Sequence, residues 1–200
     1  MSLPEPLTLV ISQLKKLPGL GEKSARRMAF ALLQDGQETL SSFIAALTSL
    51  RDDVTICQRC GNLTVEQPCA ICSDPLRDHT KLCVVESLED LTAIESSGIH
   101  QGLYFNLALS GSLLDNSEII PEETLNRLQS LIDEEPLQEI IVATNPRMEG
   151  DLTFYALCEA LEGQDLVISR PAYGLPVGGA IEFVDPVTLS AAFKQRQRSN

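Results

Sequence analysis

"CQRCGNLTVEQPCAIC", residues 57–72, holds four cysteines as two Cys-x-x-Cys pairs, Cys57 with Cys60 and Cys69 with Cys72. Each pair can bend two thiolates onto one cation, and two such knuckles complete a tetrahedron. Soft thiolates at that count select zinc. Four protein ligands leave no coordination position for water, so the ion is structural rather than catalytic. Gly61, directly after the first knuckle, suits the sharp turn there. A redox dithiol or an iron–sulfur cluster is the alternative. Compartment favours metal over disulfides. MSLPEPLTLV lacks the basic start of a secretory signal, and no apolar run approaches the roughly 20 residues that cross a bilayer. With 44% apolar and 22% charged residues, the chain is expected to be a cytoplasmic globular protein whose thiols stay reduced. Cys83 and Cys158 sit on apolar stretches and read as small buried hydrophobes.

The cysteine segment is short of periodic apolar residues, and the patterns on its two sides differ. Before it, Leu7, Val10, Ile11 and Leu14 follow helical spacing, as do Ala25, Met28, Ala29 and Leu32, then Leu40, Phe43, Ile44 and Leu47. Pro18 and Gly19 stop the first of these helices. None is long enough to be stable alone, so the three must pack together or against another chain. After it, Leu82 to Val85, Leu103 to Leu109, Ile140 to Thr144 and Leu166 to Ser169 are short apolar runs of strand type. Ser87 and Asp90 have capping-box spacing before a helix that stops near Gly98. Pro121 is placed as the first residue of a helix through Ile132 that ends at Pro136. Phe154, Leu157, Cys158 and Leu161 mark another helix. Strands apolar on both faces, alternating with helices, predict a mostly parallel sheet flanked by helices, with its ligand crevice at the carboxyl ends of the strands.

Net charge is −13, which argues against indiscriminate nucleic-acid binding. The charge is uneven, however. Lys15, Lys16, Lys23, Arg26 and Arg27 face only Glu22 within residues 11–34, and Lys194, Arg196 and Arg198 form a smaller basic cluster in the tail. In "LPGLGEKSARRMAFALL", Gly19 and Gly21 let the backbone turn sharply and present N–H groups at the start of a helix, whose dipole favours an anion. Lys23, Arg26 and Arg27 follow within reach of neighbouring phosphates. Such a grip holds a backbone without reading bases. The plainer alternative is a helical hairpin with a solvated basic face. The segment resembles a helix-hairpin-helix DNA-binding motif.

"LCVVESLEDL" puts Glu86 just beyond a strand, and "NPRMEGD" puts Glu149 and Asp151 in a polar turn after another. In a parallel sheet the three could converge at one edge, where three carboxylates around magnesium would handle phosphate. Solvated loop carboxylates are the alternative. The pattern resembles the Toprim domain, although Glu149 stands where Toprim enzymes usually carry Asp.

The order of these parts, followed by "RPAYGLPVGGAIEFVD", resembles the bacterial recombination mediator family RecR over nearly the whole chain. The expected organisation is α/β and multidomain: a helical helix-hairpin-helix domain at 1–53, a four-cysteine zinc finger at 54–78, a Toprim domain at 79–172, and a C-terminal Walker B-like motif with a tail helix at 173–200. The resemblance implies structural Zn²⁺ on Cys57, Cys60, Cys69 and Cys72, and DNA contact through the hairpin, including Lys23 and Arg27. It implies that Glu86, Glu149 and Asp151 belong to a surface serving the partner RecO, DNA or Mg²⁺. It further implies a dimer or ring-shaped tetramer that works with RecO, and in some settings RecF, to help RecA replace single-strand-binding protein on gapped DNA. Two features depart from the family pattern: the segment "LSGSLLDNSEIIP", and Ala180 where many members have an acidic residue. Gly174, Pro176, Gly178, Gly179 and Glu182 resemble the Walker B-like motif, but no Gly-x-x-x-x-Gly-Lys-Ser/Thr loop exists to support ATP hydrolysis. Tyr104, Tyr155 and Tyr173 are the only tyrosines, with no separate domain to swing one in as a nucleophile. The expected function is therefore a non-enzymatic mediator. The rivals are a Mg²⁺-dependent Toprim nuclease using Glu86, Glu149 and Asp151, and a zinc-stabilised adaptor that never touches DNA.

Overall fold

A computed structural model describes residues 3–110, 119–175 and 177–196. The chain divides into two compact units, Met1–Val54 and Thr55–Asn200.

The first unit is helical: α1 (Glu5–Leu14), α2 (Glu22–Gln34) and α3 (Gln37–Asp53). Its small core brings Ile11 of α1, with Leu7 and Leu14 at the margin, onto Ala25 and Ala29 of α2. Alanines at this contact let the two backbones approach closely. The turn between them is closed by N–H groups of Leu17 and Leu20 donating to the carbonyls of Leu14 and Leu17. At its apex Gly19 has φ of +79°, a conformation that side chains with a Cβ rarely adopt. The third helix behaves differently. No residue of α3 is buried, and Phe43, Ile44, Leu47 and Leu50 of its apolar stripe are each exposed.

The second unit begins with a two-residue antiparallel ladder, β1 (Thr55–Ile56) with β2 (Leu63–Thr64), followed by the single turn α4 (Ala70–Ser73). Next come β3 (Asp78–Val85), α5 (Leu88–Ser97), β4 (Gly102–Asn106), α6 (Glu122–Glu134), β5 (Glu139–Ala143), α7 (Met148–Ala160), β6 (Val167–Ser169) and α8 (Pro186–Lys194). The four longer strands form one sheet in the order β4-β3-β5-β6, and every pairing is parallel. Alternation along β3 divides the interior. Leu82 and Val84, with Leu103, Phe105, Ile140 and Val142, face the apolar sides of α6 and α7 through Leu128, Leu131 and Leu157. Cys83, Val85 and Tyr104 face α5 and the four clustered cysteines. The cysteine module is thus the cover for one face of the sheet.

Three local expectations are corrected. The apolar run through Leu109 is not all strand: Asn106 Oδ1 accepts from the Ala108 N–H at 3.0 Å and turns the chain into a 3-10 segment, Leu107–Ser110. Leu107 stays fully buried off the strand. Pro121 caps α6 with extended ψ of 142° instead of starting it. Glu149 and Asp151 lie not in a turn but in the first turn of α7, where the helix dipole favours carboxylates. The capping residues of α5 are as expected, with the Asp90 N–H donating to Ser87 Oγ at 3.1 Å.

Candidate functional site

The four cysteines come together at a single point. Their sulfurs all lie within 4.8 Å of one another, and all four residues are buried. A tetrahedron of Zn–S bonds near 2.3 Å separates its sulfurs by about 3.8 Å, so the donor set fits zinc. Backbone bonds shape the first knuckle: the Gly61 N–H donates to the Cys57 carbonyl at 2.9 Å, and the Cys57 N–H to the Asn62 carbonyl at 2.7 Å. The thiols also perturb one another. Hydrogen bonds from Cys60 and Cys72 pull the Cys69 thiol down to about 2. Beside that thiolate, hydrogen bonding to Cys69 pushes Cys60 up to about 12, and Cys72 is raised as well, by its bonds to Cys60 and Cys69. Thiols this close oppose one another's ionisation, and a dication at their centre would remove that repulsion. The module is fastened to the sheet by the Asn106 N–H, which donates to the Cys60 carbonyl at 2.8 Å, and to α6 by Arg59 on Glu134 at 3.2 Å and on Glu135. Cys83 is buried as expected, whereas Cys158 is only partly so.

At the carboxyl edge of the sheet, Glu86 follows β3, Asp151 follows β5 and Arg170 follows β6. The expected acids share this edge but do not form one ligand set. Glu86 Oε2 accepts from the Asn145 backbone N–H at 3.1 Å and its side-chain amide at 2.6 Å, with an Arg147 nitrogen at 3.7 Å. Asp151 Oδ1 instead accepts from Arg170 at 2.7 Å and from the Tyr173 hydroxyl at 3.3 Å. Glu149 is exposed. Among the described residues, the four cysteines are the only group of three or more ligand side chains close enough to hold one ion. Magnesium takes oxygens about 2.0–2.1 Å from a common centre, and the three carboxylates as arranged do not meet at one such centre. Asn145, Arg147 and Arg170 were not singled out from sequence, and Tyr173 was weighed there only as a nucleophile. An Asn-Pro pair before a helix hints at Asn145, but Arg170 is joined to Asp151 only by the fold. Gly150 is fixed by close approach: a Cβ there would sit 2.0 Å from the Asn145 carbonyl oxygen.

In the helical unit the basic residues fall into two sets. Lys15 and Arg26 pair with Glu22 at 2.5 and 3.4 Å, and Lys15 foremost holds that carboxyl below its usual range. Lys16, Lys23 and Arg27 are exposed and form no ion pair among the described residues. Gly21 caps α2 in extended conformation without a side-chain acceptor, and a Cβ at Gly19 or Gly21 would meet nothing within 4 Å. The surface over this bend is open to an incoming group.

Comparison with known proteins matches the chain in four segments. Family models match residues 7–50 as the helix-hairpin-helix of RecR, 54–74 as its four-cysteine zinc finger domain, 80–172 as a Toprim domain, and 174–197 as the C-terminal part of RecR. Recombination protein RecR of Chloroflexus aurantiacus (strain ATCC 29366 / DSM 635 / J-10-fl) is 42% identical over 197 residues, covering 96% of this chain and 94% of the relative. The chain belongs to the RecR family. RecR of Syntrophobacter fumaroxidans is 41% identical over 189 residues, covering 94% and 93%. RecR of Moorella thermoacetica is 40% identical over 197 residues, covering 98% of both chains. The four-cysteine module of this RecR-family chain supports zinc, and its relatives' name places it in recombination. The segment around 110–120, expected to bear on the RecR partner surface, lies mostly outside the described residues, as do Pro176 and Arg198. Among the described residues no helix is long and apolar enough to cross a membrane.

Proposed function

We propose that this RecR-family chain is a non-enzymatic DNA-binding recombination mediator. The observation that carries the reading is the pair of exposed cations Lys23 and Arg27, unengaged among the described residues, beside the open Gly19–Gly21 bend. They contact phosphates, with the α2 N-terminus adding its dipole and no base being read. Arg26, already paired with Glu22, contributes less. Replacing Lys23 and Arg27 by Ala should lower DNA affinity at least about tenfold at moderate salt and flatten the salt slope by about two, whereas Arg26→Ala should change it less than about threefold. Equal effects from all three would discard this assignment.

With a RecO-like partner, and a RecF-like protein in some settings, the chain acts to load RecA onto gapped DNA covered by single-strand-binding protein. Zn²⁺ on Cys57, Cys60, Cys69 and Cys72 shapes the second unit and takes no part in chemistry. The edge bearing Glu86, Glu149 and Asp151 serves the partner. The exposed apolar stripe of α3 supports self-association into a dimer or ring tetramer, which would present several weak basic patches to one DNA molecule. Function is placed in the cytoplasm, with divisions at 1–53, 54–78, 79–172 and 173–200.

One observation favours testing a cleaving alternative: the Tyr173 hydroxyl stands 3.3 Å from Asp151, so a tyrosine does accompany the acidic edge. Incubation with supercoiled and gapped DNA plus Mg²⁺ discriminates. The mediator reading expects no nicks. Nicking abolished by Asp151→Asn or Tyr173→Phe would replace it with a Toprim nuclease.

A further inference from the structure

At the end of β6 the Arg170 side chain is about four-fifths covered. It lies over two aromatic rings, 4.7 Å from the centre of Phe154 and 4.4 Å from that of Tyr173. One of its nitrogens donates to Asp151 Oδ1 at 2.7 Å, and Tyr173 adds a hydroxyl donor to the same oxygen. The guanidinium is therefore held by a charge and by two π faces. Across the same edge, Glu86 is engaged by the Asn145 amides and by Arg147. A divalent ion would have to take Asp151 from Arg170 and Glu86 from Asn145, then draw together oxygens that now have separate partners.

We propose that Arg170 is the resident counter-cation of this edge, in the role a divalent ion would hold, and that it is a positioning residue. By gripping Asp151 and stacking on Phe154 and Tyr173 it pins residues 170–173, the start of the C-terminal segment, to the first turns of α7. The proposal goes beyond the DNA-binding reading and is independent of it: the basic bend of α2 takes no part.

The test uses the full-length, zinc-loaded chain and Mn²⁺ as the probe, with bound ion read by electron paramagnetic resonance. Wild type and Asp151→Asn should bind Mn²⁺ equally weakly, within about twofold, because Asp151 is already occupied. Arg170→Ala should bind at least about tenfold more tightly than wild type, and adding Asp151→Asn should erase that gain, since only the freed carboxylate attracts the ion. Arg170→Lys keeps the charge and should retain weak binding, yet should lose protection of the 170–175 backbone from proteolysis, because a point charge cannot stack as the planar fork does. Tight Mn²⁺ binding by wild type that Asp151→Asn weakens tenfold would overturn the proposal. So would an Arg170→Ala affinity equal to wild type. If Arg170→Ala fails to fold, the comparison of wild type with Asp151→Asn still decides.

Discussion

Asp151 and Gly150 are neighbours in sequence with opposite freedoms. Asp151 is answerable to partners far along the chain, whereas Gly150 is answerable to the backbone beside it. Thr144 Oγ1 donates to the Gly150 carbonyl at 3.0 Å, which draws the first turn of α7 against the loop leaving β5. Gly150→Ala would force its methyl into the Asn145 carbonyl, 2.0 Å away. The variant should lose more than about 2 kcal/mol in denaturant unfolding. Gly174→Ala, which meets nothing within 4 Å, should stay within about 0.5 kcal/mol of wild type. Cysteines were legible at this scale because their chemistry needs only spacing. The acids were legible as types and positions but not as a site. Whether Glu86 meets a metal or an amide depends on Asn145 and Arg147, and the state of Asp151 on Arg170; no periodicity connects those residues. Lys23, Arg26 and Arg27 looked equivalent in sequence; Glu22, one turn before Arg26, makes them unequal.

Among the elements, β3 and α6 are tied by a charged cluster where β3 begins and α6 ends. His79 Nδ1 stands 2.6 Å from Glu135 Oε2, and Arg59 reaches Glu135 from the cysteine module. The hydrogen bond to Glu135 raises His79 above its ordinary 6.5. Burial opposes ionisation of Glu135, but its bonds from His79 and Arg59 prevail and lower it below 4.5. The sign of each contribution is then fixed. His79 stabilises the fold fully below pH 6.5, and its contribution is lost as pH rises through the raised folded value. Glu135 stabilises above pH 4.5, and its contribution is lost as pH falls through the depressed one. Stability measured from pH 6 to 9 should decline, and His79→Gln should flatten that decline while leaving the zinc content unchanged. The strands were readable from short apolar runs because both faces are covered. The start of α7 was not, since Met148, Glu149, Gly150 and Asp151 carry little helical periodicity, and the dipole favours only the two carboxylates among them. The run through Leu107 misled for a related reason: burial marks the core, and a residue can reach the core without being in a strand.

For the molecule as a whole, the two units rest on different supports. The helical unit has a core of a few side chains and, among the described residues, an exposed apolar stripe on α3. Diluting the protein should therefore lower both its mass in solution and its DNA affinity, with Phe43→Glu or Leu47→Glu acting like dilution. A monomer that binds DNA as tightly as the assembly would contradict this. The second unit rests on the cysteine cluster. Chelating the metal should lower its melting temperature by about 10 °C or more and expose residues 55–75 to proteases, as Cys57→Ser should also do. That cover over Cys83, Val85 and Tyr104 also has a consequence for synthesis. Both knuckles leave the ribosome before the first strand of the large sheet, and chains lengthen at roughly 5–20 residues per second. An ion captured at that moment prepares a floor on which β3 and β4 can settle as they emerge. Under metal starvation the Cys83, Val85 and Tyr104 side of these strands would keep only α5 as its cover, so scarcity would be felt first as degradation of nascent chains rather than as failure of finished ones.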